Sequence, residues 1–326
     1  MKILFDAQGG DNAPLEIIKG AIEAREEFNI DIALIGSEED IKSKAAESGI
    51  DIDFEIINAT EKIENTDDPA MAIRRKKDSA IVKGLSLLSR GEYDAFLSCG
   101  STGALLAGGL FIVKRINNVS RAVLPTFIPN LRGNTLVIDS GANMDCDEKL
   151  IFEFAKLGKV YLESLGYENP KVGLLNVGVE EGKGNNVTKA CYKLLKDSNL
   201  NFIGNVEARD VSFGVCDLVV CDGFTGNVLL KNTEGVAMFL VKTFQKLLEE
   251  TNIDKNESKL LIAKLFKSLD YQEVGGVILL GLNKIVVKAH GSSDAKAVKN
   301  ATKSAIQAQD KDIIKKLSDV FMEEVK

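Results

Sequence analysis

The chain has 326 residues, 45% hydrophobic and 27% charged, with a formal net charge of −7. That is the composition of a globular protein able to bury a substantial core, and its acidic balance excludes the broad basic face of a general nucleic-acid binder. One histidine and five scattered cysteines (Cys99, Cys146, Cys191, Cys216, Cys221), none spaced as Cys-x-x-Cys, give no zinc pattern. Several of the thiols sit in apolar runs and read as small core residues of a reducing compartment. Asp6 interrupts the apolar start of MKILFDAQGG, which does not fit a signal peptide and points to a cytoplasmic protein.

In chain order, strands are predicted at 2–5, 31–35, 53–57, 95–98, 135–139, 171–176, 202–204, 218–221 and 285–288. Helical spacing is found at 14–28, 40–48, 69–89, 149–165 and 185–197. Residues 233–269 read as one or two helices broken near 252–256, and a last helix starts at about Asp294. The uncharged run 95–113 is nearly long enough to span a bilayer, but Ser98, Gly100, Ser101, Thr102 and Gly103 cluster where a strand would turn into a helix. It reads as a buried strand, loop and helix. The alternation predicts an α/β protein, with a mostly parallel sheet covered by helices on both faces. The chain is expected to form one domain over 1–326, with a helical or hairpin insertion at about 233–288.

Ligands of such sheets collect at the carboxyl ends of the strands, and here those ends resemble one another. The first runs into Asp6-Ala7-Gln8-Gly9-Gly10-Asp11, the next into Gly100-Ser101-Thr102-Gly103, and the third into Ser140-Gly141-Ala142-Asn143. A fourth leads to Gly178 and Glu180-Glu181-Gly182-Lys183-Gly184-Asn185, and a fifth to Asp222-Gly223-Phe224-Thr225-Gly226-Asn227. Glycine lets a ligand approach the backbone, and a following helix start offers unpaired N–H groups. A single corner of this kind can equally be a well-made loop; five together make a site. No P-loop, no G-x-G-x-x-G after a strand and no G-x-S-x-G elbow is present. What remains is a pocket of N–H groups, hydroxyls and amides with Lys183 as its charge, suited to a small oxyanion, phosphate first.

His290 has two readings: a cap or satisfied network group, or a residue that positions substrate or protonates a leaving group. Arg74-Arg75-Lys76-Lys77 is the strongest basic cluster of an acidic chain. It is either a solvated helix face or a dock for an acidic partner.

These segments, with Gly173-Leu174-Leu175-Asn176-Val177-Gly178 and Lys288-Ala289-His290-Gly291-Ser292-Ser293, resemble the bacterial phosphate acyltransferases in order and spacing across essentially the whole chain. Three positions depart from that family, which has Met at Gln8, His at Asn12 and Asn at Ser101. The resemblance implies a three-layer α/β/α sandwich related to isocitrate/isopropylmalate dehydrogenases and phosphotransacetylases, a homodimer, and no metal or nucleotide cofactor. It implies transfer of a fatty acyl group from acyl carrier protein to inorganic phosphate. The acyl phosphate would feed a membrane glycerol-3-phosphate acyltransferase in phospholipid synthesis, with transient association with a membrane surface. On this reading Lys183, Asn227 and His290 are catalytic. Lys183 takes the phosphate or developing charge, and Asn227 donates an amide hydrogen. Asp6, Gly9, Gly10, Asp11, Gly100, Ser101, Thr102, Gly103, Asn143, Asn185, Asp222, Gly223, Thr225 and Gly226 bind phosphate or substrate. Arg74, Arg75, Lys76 and Lys77 would dock the carrier, and residues 260–269 would touch the membrane or the dimer partner. Acyl-CoA in place of the carrier-borne donor, a hydroxy-acid dehydrogenase and a non-catalytic carrier or phosphate sensor are the rival readings.

Overall fold

The computed structural model describes residues 1–251, 253–269 and 275–323. They divide into two compact units, one of residues 1–124 and 275–323 and the other of residues 125–269.

The first unit runs β1 (Lys2–Asp6), α1 (Leu15–Phe28), β2 (Asp31–Gly36), α2 (Glu38–Glu47), β3 (Glu55–Asn58), α3 (Pro69–Arg75), α4 (Ala80–Ser89), β4 (Ala95–Ser98), α5 (Thr102–Gly108) and a π-helical turn, Gly109–Val113. The second holds β5 (Thr126–Asn130), β6 (Gly133–Ile138), α6 (Glu148–Leu165), β7 (Val172–Asn176), α7 (Asn186–Lys196), β8 (Phe202–Glu207), α8 (Ala208–Val211), β9 (Leu218–Val220), α9 (Gly223–Glu249) and α10 (Lys255–Leu269). The chain then returns to the first unit as β10 (Gly276–Ile278), β11 (Ile285–Ala289), α11 (Ala295–Asp310) and α12 (Ile313–Glu323).

The sheet of the first unit has the order β10-β11-β4-β1-β2-β3, parallel except for β10. Its inner strands are apolar on both faces because helices cover both. Leu4, Ala33, Ile35, Phe96 and Val286 pack against Ile81, Leu85 and Leu105 of α4 and α5. The alternate residues Ile3, Phe5 and Leu34 are fully buried on the opposite face, where α1 and α11 pack on the sheet and on each other. In the second unit the order is β5-β6-β9-β7-β8, with only β5 antiparallel. Ile138 and Leu218 face Gly158 of α6, while Val137 and Val219 share the other face with Val211 of α8 and Leu229 of α9. Each unit is therefore a three-layer α/β/α arrangement, as the sequence pattern predicts.

Three local features differ from the sequence reading. The helix predicted at 69–89 is two helices, because the Ser79 side chain caps α4 at Val82 and Lys76 ends α3. β5 escapes prediction because Pro129 breaks its pattern; an edge strand tolerates proline. The final helix is interrupted at Asp312, whose φ is +51°. At the end of the segment 233–288, β10 and β11 pair antiparallel, and β11 also pairs with β4 inside the first sheet. Residue 252 and residues 270–274, near two predicted breaks, lie outside the described residues. The run 95–113 folds as β4, α5 and the π-helical turn, and no described helix is long and apolar enough to cross a membrane.

Gly84 shows how tightly α4 sits on the sheet: a Cβ there would stand 2.3 Å from the Phe96 ring. Gly84→Ala should therefore destabilise the protein by about 1–3 kcal/mol through overpacking, despite the roughly 1 kcal/mol that alanine adds in an open helix. Urea unfolding checks this; an unchanged or higher midpoint would show that the ring moves aside freely.

Candidate active site

The candidate residues fall into two sets, one in each unit. In the first unit the corner after β1 is organised by Asp6, 1% exposed. Its Oδ1 accepts the Gln8 and Gly9 N–H groups (3.0 and 3.1 Å), and its Oδ2 accepts the Ser98 hydroxyl at 2.6 Å. Burial pushes the Asp6 carboxyl above the usual range while these donors pull it down. Ser98 Oγ in turn accepts the Gly100 N–H, so the corners after β1 and β4 are locked together. Asp11 N–H donates to the Gly291 carbonyl at 2.7 Å, and the Asn12 amide donates to the Ser292 and Ser293 carbonyls. That joins the corner after β11, which holds His290. There Ser292 N–H donates to His290 Nδ1 (3.2 Å), and Ser292 Oγ lies 2.8 Å from the same nitrogen. An Nδ1 that accepts an N–H bears no proton, so the neutral ring carries its hydrogen on Nε2. Ser101 caps α5 at Ala104, and Thr102 and Gly103 form the first turn of that helix.

In the second unit the corresponding group is Asp139, fully buried after β6. Its carboxylate accepts the Ala142 N–H (3.1 Å), the Asn143 N–H (2.6 Å) and the Asn143 side-chain amide (3.1 Å). Asn143 O then accepts the Gly223 N–H at 2.7 Å, so the corner after β6 holds the corner after β9. Gly226 is required here: a Cβ would stand 1.9 Å from Asp139 O. Asp222 caps α9, taking the Thr225 N–H at 2.8 Å and its hydroxyl at 2.7 Å. Asn227, one turn into α9, is half-buried against Gly141, and its amide bonds to none of the described residues.

β9 lies between β6 and β7, so Lys183, in the loop after β7, stands at the end of the neighbouring strand. Its Nζ is 3.9 Å from Glu180 and its side chain is half exposed. The loop is tied by two asparagines: Asn176 donates to Lys183 O (3.2 Å) and Asn205 Oδ1 (3.0 Å), and Asn205 donates to Glu180 O (2.8 Å). Asn185 caps α7 at Thr188.

The N–H groups of Gly9, Gly100, Thr225 and Gly226 are thus engaged within their own corners, and that of Gly223 by the corner after β6. Ser98, Asp139, Asn176 and Asn205, absent from the sequence-based candidates, do the holding. Asp139 could have been found from its place at a strand end, matching Asp6. The basic cluster also divides. Arg74 and Arg75 are exposed on α3, whereas Lys76 pairs with Asp67 at 2.6 Å and Lys77 donates to Ile73 O. Among the described residues, no cluster of three His, Cys, Asp or Glu side chains could hold a metal ion.

Solved structures of the same fold include the EutD phosphotransacetylase of Staphylococcus aureus (TM-score 0.60, 19% identity, 95% of this chain and 94% of that one). A branched-chain phosphotransacylase from Enterococcus faecalis aligns with a TM-score of 0.60 at 15% identity, over 94% of this chain and 98% of that one. At such identities the likeness speaks for the fold alone, the α/β/α arrangement described above. The chain belongs to the fatty acid synthesis protein family, which matches residues 1–316. It is 46% identical to a phosphate acyltransferase of Caldanaerobacter subterraneus subsp. tengcongensis over 98% of this chain and 97% of the relative. It is 49% identical to one of Clostridioides difficile over 94% and 92%. Relatives of that identity and coverage make the chain an acyltransferase.

A cysteine nucleophile would be the alternative to direct attack by the acceptor. Burial pushes Cys99, at the end of β4, up to about 11, and Cys221, at the end of β9, well above the usual thiol value. The thiolate is the nucleophile, so these two groups are poorly suited to form an acyl-enzyme. At pH 7.5 iodoacetamide should leave both unmodified in the folded protein and alkylate both in guanidinium, as read by peptide mass spectrometry. Rapid labelling of either in the native state would contradict this.

Proposed function

We propose that the protein transfers a fatty acyl group from the thioester of acyl carrier protein to inorganic phosphate, releasing acyl phosphate and the free carrier thiol. The observation that carries this reading is the identity of 41–49% with phosphate acyltransferases over nearly the full chain. Phosphate is an anionic nucleophile at neutral pH, so placement counts for more than a strong base; orienting two reactants can supply several kcal/mol of the barrier. A phosphate oxygen attacks the thioester carbon, the carbonyl oxygen becomes negative, the C–S bond breaks, and the thiolate takes up a proton. In the second unit Lys183 meets the phosphate or the developing charge. The Asn227 amide donates to the thioester oxygen, and the Asp139-held corner keeps that amide in place.

On this reading the acyl phosphate is consumed by a membrane acyltransferase that makes a phospholipid precursor, the chain works as a homodimer in the cytoplasm, and it visits a membrane surface. Leu260, Leu261 and Phe266, exposed on α10 beside Lys259 and Lys264, support the last point.

Incubation with acyl carrier protein bearing a fatty acyl thioester and phosphate, followed by mass spectrometry, tests the reaction. Acyl phosphate and free carrier thiol are expected in equal amounts, with no product when phosphate is omitted. Turnover of acyl-CoA alone would move the donor assignment. No acyl phosphate from either donor would end the proposal.

A further inference from the structure

Two stretches of the first unit contain no Asp or Glu at all in a chain of net charge −7: residues 69–77, with Arg74, Arg75, Lys76 and Lys77, and residues 95–124, with Lys114, Arg115 and Arg121. The fold brings them together, because α3 packs on α5 and Gly103 lies against Pro69. The face they form exposes three apolar side chains, Met71, Leu110 and Phe111. The Arg74 guanidinium stands 5.8 Å from the centroid of the Phe111 ring. Beside it runs a groove of about 320 Å³ lined by Leu110, Lys114, Arg115, Asn117 and Asn118 among others, with no carboxylate in its walls.

We propose that this face docks an acidic amphipathic helix of the protein that carries the acyl group. The inference rests on the reading above that the donor is carrier-borne, and it says where the carrier sits. The chemistry is complementary: the apolar stripe of such a helix meets Met71, Leu110 and Phe111, and its carboxylates meet Arg74, Arg75 and Lys114. Lys76 and Lys77 take no part, since Lys76 is bound to Asp67 and to the Lys62 carbonyl and Lys77 to the Ile73 carbonyl. A lipid surface fits less well: it needs a broad apolar helix face in the interface plane, whereas here three apolar side chains flank a concave, amide-lined groove. The face is also continuous with the candidate corner. α5 leaves Ser101 and enters the π-helical turn after seven residues, roughly 10 Å along the helix.

The test is a pair of charge reversals, Arg74→Glu and Lys114→Glu, in the full chain, with phosphate as acceptor and the same acyl group on acyl carrier protein or on pantetheine. For the protein donor KM should rise about tenfold or more and lose most of its salt dependence, with kcat within twofold; KM for acyl-pantetheine should stay within twofold. Lys76→Met should lower the melting temperature and leave both KM values within twofold. Equal increases for both donors, or none for the protein donor, would overturn the assignment. So would variants that lose flotation with phosphatidylglycerol vesicles while keeping the carrier KM. Anisotropy of labelled acyl carrier protein reads docking without turnover: binding weakened about tenfold by the reversals supports the site even if no acyl phosphate forms, and equal binding to wild type and variants sinks it.

Discussion

A buried carboxylate at the end of a strand is the constraint from which the polar corners follow. Asp6 ends β1 and Asp139 follows β6, and neither reaches solvent. An isolated buried carboxylate costs several kcal/mol, and only donors that aim at it offset this. The backbone must therefore turn at once and present N–H groups to the strand end: Gln8 and Gly9 in one unit, Ala142 and Asn143 in the other. Each turn then reaches its neighbour, through Ser98 to Gly100 and through the Asn143 carbonyl to Gly223. The corners are rigid because the carboxylates leave them no alternative.

That economy changes how the glycines are understood. Glycine-rich strand ends suggest backbone N–H groups pointing outward at an anion, yet several of those groups are engaged in holding the corners. On the proposed reading, ligand-directed chemistry falls to side chains carried by the corners. Asn227 rests on Gly141 with its amide unengaged by the described residues, and Lys183 sits on a loop pinned by Asn176 and Asn205. On the proposed reading, a neutral amide and one cation meet the thioester oxygen and the phosphate.

Much of this was legible in the sequence, for physical reasons. Parallel strands buried on both faces are short apolar runs, and the helices between them carry a 3.6-residue period. The corners stand out because Gly, Asp, Asn and Ser gather at the strand ends. What those residues do there was less legible, since the same types cap helices and bind ligands. Ser101, Asn185 and Asp222 act as caps. The break at Lys76 to Ser79 rests on a serine cap, a residue type that also occurs inside helices, and the strand around Pro129 depends on pairing with β6 that no local pattern reports. The basic run divides for a similar reason, because only the fold shows that Asp67 takes Lys76.

On the proposed reading, the corner held by Asp139 presents the Asn227 amide to charge developing on the substrate. The most direct measurement is kcat of Asn227→Ala for acyl phosphate formation, with the fold verified by circular dichroism. Loss of one such donor typically lowers kcat by a factor of ~100 or more, and that fall, with the melting temperature unchanged, is the expected result. A variant with near-normal kcat would contradict the claim.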